Sequence, residues 1–167
     1  MAKKSVVVTV LFVGLVSIWM GGCQTPEQKV ERLIKKLGHK KAKVRANAVE
    51  ALGRIGEDAV PALIQTLRDQ DVEGFVRENA AEALGSIGKD AKDAVPALIQ
   101  ALKDESIGVR EDAAYVLGKI GSEDAVPALK QALKDQGWRV RGRVVTALGN
   151  IGTPEALKAV DEYQPQQ

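Results

Sequence analysis

Reactive nitrogen and sulfur are nearly missing from this 167-residue chain, which contains one histidine, His39, and one cysteine, Cys23. A single residue of each type cannot assemble a zinc ligand set or a Ser/His/Asp or Cys/His arrangement, and it cannot close an internal disulfide. Aromatic side chains make up only 4% of the chain, so any core must be built from leucine, isoleucine, valine and alanine. A hydrophobic content of 45% beside 28% charged residues is nevertheless that of a globular chain. Neighbouring carboxylates such as Glu111-Asp112 and Glu123-Asp124 diverge on a helix or serve at its start, and do not form the facing pair that glycoside hydrolysis needs. The expectation is a non-enzyme without metal or cofactor, with His39 serving as a turn residue.

What the chain does have is a repeat. The phrase running from Val109 to Gly121 returns with substitutions from Val44, Val76 and Val140, at intervals of 32, 33 and 31 residues. That period belongs to stacked helical hairpins. Within one copy Val76, Ala80, Ala83, Leu84 and Ile87 fall on a single helical stripe. Each copy closes on Leu-Gly-x-Ile-Gly, placing Gly56, Gly88, Gly121 and Gly152 where a helix ends in a left-handed cap. The inner glycines Gly53, Gly85, Gly118 and Gly149 each cost about 1 kcal/mol relative to alanine inside a helix. Close helix-to-helix approach is the expected compensation, and a ligand contact is the alternative.

A second phrase, Asp58 to Leu63, recurs at Asp93–Leu98 and Asp124–Leu129. Its aspartate is placed to cap free amides, and its proline lies in the first turn, where a missing N–H costs little. Two helices per unit follow, and the fold class expected is all-α. After Gly152, Thr153-Pro154-Glu155 starts a last helix, with Ala156, Leu157 and Val160 expected inward. A half unit of this kind acts as a terminal cap.

With Val-Arg opening the second helix and Leu-Gly-x-Ile-Gly closing it, the pattern resembles HEAT repeats, particularly the short type of the phycobilin lyase family. The resemblance covers residues 28–163 and implies a right-handed α-solenoid of about four and a half helical hairpins. It also implies a ladder between neighbouring units in which a turn aspartate pairs with the arginine of the second helix, the pairs here being Asp69 with Arg77, Asp104 with Arg110, and Asp135 with Arg141. In the first unit His39 stands where that aspartate should precede Arg45. Hydroxylases built from such repeats hold iron with several His-Glu pairs, which the lone His39 cannot supply.

Residues 1–22 stand apart from the repeats. A short basic start, Met1 to Lys4, leads into Val6–Met20, an apolar run too short for a typical membrane span, and then Gly21-Gly22-Cys23. The sequence Met20-Gly21-Gly22-Cys23 resembles the bacterial lipobox, with methionine at the position usually held by leucine. The resemblance implies a cleaved signal peptide over 1–22 and lipidation of Cys23, with 23–27 as lipidated cysteine and tether. The expected location is the cell envelope, on the outer membrane facing the periplasm where there are two membranes. Four residues from Gln24 to Glu27 reach no more than about 14 Å, so the solenoid begins near the bilayer. Residues 164–167 form a tail expected to fray.

Residues 29–45 hold eight basic groups against Glu31, net +7, whereas residues 46–167 hold 14 basic and 20 acidic groups, net −6. Lys35, Lys36, Lys40 and Lys41 are therefore candidates for contact with lipid headgroups. Nucleic acid is a poor partner, since the compartment is wrong and the later arginines have expected carboxylate partners.

The second helices are expected to line a concave face, with Asn47, Asn79, Asp112 and Arg143 in one outward column and Glu50, Glu82, Tyr115 and Thr146 in the next. Tyr115 is the natural anchor for a partner, and Trp138 is the other exposed candidate. The leading reading is a lipid-anchored, monomeric adaptor that binds a protein or peptide on this face. The alternatives are a lyase-like or chaperone subunit assisting cofactor attachment, discriminated by a co-purifying chromophore, and a structural envelope spacer.

Overall fold

The computed structural model describes residues 25–164, and Cys23 with the lipobox lies outside them. The chain is a succession of helices joined by short turns: α1 (Pro26–Leu37), α2 (Ala42–Ile55), α3 (Val60–Arg68), α4 (Gly74–Ile87), α5 (Val95–Ala101), α6 (Ile107–Ile120), α7 (Val126–Ala132), α8 (Trp138–Ile151) and α9 (Pro154–Asp161). Four hairpins, α1–α2 to α7–α8, stack in chain order, and α9 covers the far end. None of the described helices is long and apolar enough to cross a membrane.

Helix starts differ between the two kinds of helix. α1 opens on a capping box, the Thr25 hydroxyl accepting from Gln28 N–H while the Gln28 side chain accepts from Thr25 N–H. Thr153 caps α9 in the same way through Ala156 N–H. The aspartate caps expected at Asp58, Asp93 and Asp124 are not made. There a 3-10 turn runs directly into α3, α5 and α7, so backbone carbonyls of the turn take the first amides, and proline follows in the first helical turn. The stops need glycine at all four places, since Gly56, Gly88, Gly121 and Gly152 have positive φ, at 78°, 77°, 76° and 69°. Only Gly121 and Gly152 take the expected left-handed cap; Gly56 and Gly88 pair that φ with ψ of −139° and −131° as the chain turns into the 3-10 segment.

The core is a continuous file of aliphatic side chains from Val30 to Ala159, with Leu37, Leu52, Leu63, Leu84, Leu98, Leu117, Leu129 and Leu148 all fully buried. No buried side-chain nitrogen or oxygen among the described residues lacks a hydrogen-bond partner. The hydrophobic and polar requirements of the fold are thus met inside residues 25–164. Leu157 departs from expectation: Ala156 and Ala159 face inward, and Leu157 is 45% exposed.

The two helical layers are spaced differently. In the second-helix layer a Cβ placed on Gly53 would lie 2.7 Å from Ser86 Cβ, on Gly85 2.9 Å from Val116 Cγ2, and on Gly118 2.5 Å from Ala147 Cα. The first helices are instead separated by open clefts of about 490, 450 and 500 Å³, between α1 and α3, α3 and α5, and α5 and α7. A stack compressed on one layer and spread on the other curves toward the compressed layer, so α2, α4, α6 and α8 form the inner face.

Close approach is therefore the reason for the inner glycines at three of the four positions. The fourth, Gly149, has nothing within 4 Å, because among the described residues no further second helix packs on α8. Gly118→Ala is expected to lower stability by about 1–3 kcal/mol through overpacking against backbone. Gly149→Ala is expected to raise it by up to about 1 kcal/mol. Urea midpoints of the two variants check the pair.

The arginine ladder exists, but its register is shifted by one unit. Arg77 donates through Nε and Nη2 to Asp104 at 2.8 and 2.9 Å, and Arg110 donates to Asp135 at 2.8 and 3.2 Å. Each arginine thus pairs with the aspartate of the following unit, not of its own. The expected pairs Asp69–Arg77, Asp104–Arg110 and Asp135–Arg141 are not formed by carboxylates. Within its own turn Arg110 reaches the Asp104 main-chain carbonyl at 2.8 Å, and Arg141 reaches the Asp135 carbonyl at 2.8 Å.

The carboxylates are turned instead toward the N–H two residues on and toward the preceding unit, Asp104 accepting from Ser106 and Asp135 from Gly137. Burial works to raise the Asp104 pKa, but the hydrogen bonds from Arg77 and Ser106 and the Arg77 charge outweigh it and hold the carboxyl below the usual range.

The ladder's two ends are improvised. The second turn is longer by two residues, nine from Leu67 to Val76 against seven from Leu102 to Val109. There Asp69 Oδ1 accepts from Asp71 N–H, and Arg45 lies instead over the Phe75 ring, 5.4 Å from its centroid. His39 takes the aspartate's local role, its Nδ1 accepting from Lys41 N–H at 3.1 Å. At the other end Arg141 donates to the Tyr163 hydroxyl at 3.2 Å.

Candidate functional site

The inner face is where the repeat leaves polar side chains unconsumed by packing. Each second helix turns its apolar stripe toward its own first helix and its glycine edge toward the next unit, so a third edge looks into the curve. On α4 and α6 that edge carries Glu78, Glu82, Glu111, Asp112 and Tyr115, and α8 contributes Arg143. Arg143 Nε lies 3.3 Å from Glu111 Oε1, and its guanidinium carbon stands 5.2 Å from the Tyr115 ring centroid. Tyr115 is held in this way yet remains 44% exposed.

Carboxylates crowd this edge. Asp112 is half-buried, and its pKa is pushed up to about 7 by desolvation first, then by the charges of Glu78, Glu82 and Glu111, with Arg143 opposing. Glu78 is also raised, by burial and by Glu111 and Glu82. The charges of Glu78, Glu82 and Glu111 thus make Asp112 costlier to ionise, and a cation brought to the edge relieves that cost.

Of the eight residues expected on the concave face, Glu82, Asp112, Tyr115 and Arg143 come together here. Asn47 and Glu50 are exposed on α2, at the first unit, where Glu50 pairs with Arg54 at 3.5 Å. Asn79 is a structural tie rather than a contact residue, since its amide donates to the Leu37 carbonyl at the end of α1 at 2.9 Å. Thr146 bonds the Gly142 carbonyl within α8. Glu78 and Glu111 escaped the sequence reading because their column holds Ala46 and Gly142 in the outer units. The signal was the glutamate two residues after Val76 and Val109. Trp138 is 70% exposed but begins α8 at the turn edge, with Arg139 over its ring, away from this face.

These elements invite comparison with known repeat architectures. A family model for HEAT repeats matches residues 30–106 and 95–163. The chain belongs to the HEAT repeat family. Among solved structures, the HEAT units resemble the complex of CpcE and CpcF of phycocyanin lyase from Nostoc sp. PCC7120, at 24% identity over 79% of this chain and 84% of that one, with a TM-score of 0.68. That level of likeness shows the shared fold. An engineered protein is 25% identical over 80% of this chain and 67% of its own, with a TM-score of 0.54. The comparison with curated proteins found no match.

In HEAT terms, the first unit is the unusual one, lacking the aspartate rung and holding net +7 over residues 29–45. Of its four candidate lipid-contact lysines, Lys40 and Lys41 are exposed in the turn, and Lys36 is partly exposed at the end of α1. Lys35 lines the cleft between α1 and α3 with Glu31 and Ile34, and so faces the second unit rather than the end of the stack.

Proposed function

We propose that the chain is a non-catalytic adaptor, held at a membrane through Cys23, that binds a protein or peptide segment along the inner face of its HEAT repeats. The observation that carries the binding half is Tyr115, an exposed ring braced by Arg143 on a surface of mutually repelling carboxylates. An amphipathic ring gives much contact area at low entropic cost, and the surrounding acids favour a basic segment as occupant. The membrane half is supported by the apolar run Val6–Met20 leading into Gly21-Gly22-Cys23. Double acylation, which the lipobox resemblance implies, gives the stable attachment that one chain would not.

The phycocyanin lyase structure is a complex of CpcE and CpcF. Partnership with another protein is in keeping with that architecture. In-cell photo-crosslinking from position 82 on the inner face tests the proposal, with position 103 on the cleft side as control. One recurrent protein adduct from 82 and none from 103 is the expected outcome. Equal or absent adducts would return the chain to the role of a spacer.

A further inference from the structure

We propose that the free end of the first HEAT unit lies directly on an anionic phospholipid surface. Lys29, Arg32 and Lys36 recur at i, i+3 and i+7 on α1 and so share one face. The same helix turns Glu31, Ile34 and Lys35 into the cleft beside α3, so the one acid within residues 29–45 is withdrawn from the basic stripe. Lys40, Lys41 and Lys43 extend that stripe, exposed in the turn and at the start of α2.

Among the described residues none of these six is within ion-pairing distance of a carboxylate. The ion pairs lie in the later units, apart from Glu50 with Arg54. Glu27, in the first turn of α1, is the neighbouring acid, and it interacts with the helix start and Thr25. The end of the stack is thus a basic surface whose charges have no partner within the described solenoid.

Charge complementarity and chain position choose the occupant. Only Gln24 separates Cys23, the anchor in the adaptor reading, from Thr25, where α1 is capped, so a bilayer holding a lipidated Cys23 lies next to this end. The remaining charge is disposed to match, since residues 46–167 carry net −6 and are repelled by the surface that attracts the first unit. With helices packed about 8–10 Å apart, Tyr115 in the third unit would stand about 20 Å from the headgroups, open to a partner. The proposal shares the membrane location of the adaptor reading but not its partner.

The test uses residues 25–167, which contain the whole described core, and vesicles of phosphatidylcholine with and without phosphatidylglycerol. Co-sedimentation should require phosphatidylglycerol and fall with added salt. Replacing Lys29, Arg32, Lys36, Lys40, Lys41 and Lys43 with glutamine should weaken it by about tenfold or more. Replacing the five lysines with arginine should preserve it, and Lys35→Gln in the cleft should change it little. Thermal melting of each variant separates loss of binding from loss of fold.

Equal sedimentation with both vesicle types, or undiminished binding by a folded glutamine variant, would overturn the proposal. Neither result would touch the adaptor reading, which is tested by adducts from the inner face and has no lipid in its readout.

Discussion

Arg77→Ala is expected to destabilise the chain by about 3–5 kcal/mol, the cost of stranding one member of a buried ion pair. Arg77 is wholly buried and Asp104 is 8% exposed, so water cannot replace the lost partner as it would at a surface. Asp104 would keep the Ser106 N–H, which is too little for a buried carboxylate. The Val72 carbonyl, reached by Arg77 Nη1 at 2.6 Å, would lose its donor as well.

Arg141→Ala provides the comparison. It removes hydrogen bonds to Tyr163 and to the carbonyls of Asp135 and Gln136 but leaves no buried charge, so about 1 kcal/mol is expected. Urea unfolding at neutral pH measures both. Equal small losses would mean that the ladder is decorative. Replacing Arg77 and Asp104 together by apolar residues of similar size should recover much of the loss, because the penalty arises from the stranded charge.

Leu84→Ala is expected to cost about 2–5 kcal/mol, since Leu84 is fully buried in α4 with a unit on each side and its cavity cannot easily collapse. Leu157→Ala should cost under about 1 kcal/mol, because that side chain is 45% exposed on the terminal helix. In a solenoid each unit contacts only its neighbours, so the second change acts on one end while the first interrupts the stack. Hydrogen exchange should show Leu157→Ala confined to α8 and α9, whereas Leu84→Ala should raise exchange in the units on both sides.

The helices, their glycine stops and the inner-layer contacts were legible because repetition states them several times. A glycine at the same place in four copies reports a constraint that recurs, and three of the four meet it. Gly149 shows the limit, since a repeat can retain a residue where the geometry that requires it has ended.

The ladder was legible in composition but not in register. Every unit supplies a turn aspartate or its stand-in and an arginine, so pairing within units and pairing between units fit the same string. Only the stacking decides, by placing the Asp104 carboxylate nearer Arg77 than Arg110 and leaving Arg110 its carbonyl. Asn79 was illegible for a related reason, since its partner is a backbone carbonyl 42 residues earlier. The acidic edge was half visible. Glu82 and Asp112 lay in regular columns, but Glu78 and Glu111 share theirs with Ala46 and Gly142, and a column of mixed character does not announce a surface.

Burial and the charges of Glu78, Glu82 and Glu111 raise the Asp112 pKa on the face where Tyr115 is exposed. The most direct measurement is the yield of photo-crosslinked adduct from position 82 inside cells, with Tyr115 intact and with Tyr115→Ala. One recurrent adduct is expected, with a yield that falls about tenfold without the ring, the cost of truncating a modest anchor. An adduct of unchanged yield after that substitution, from a protein that still melts as the parent does, would contradict it.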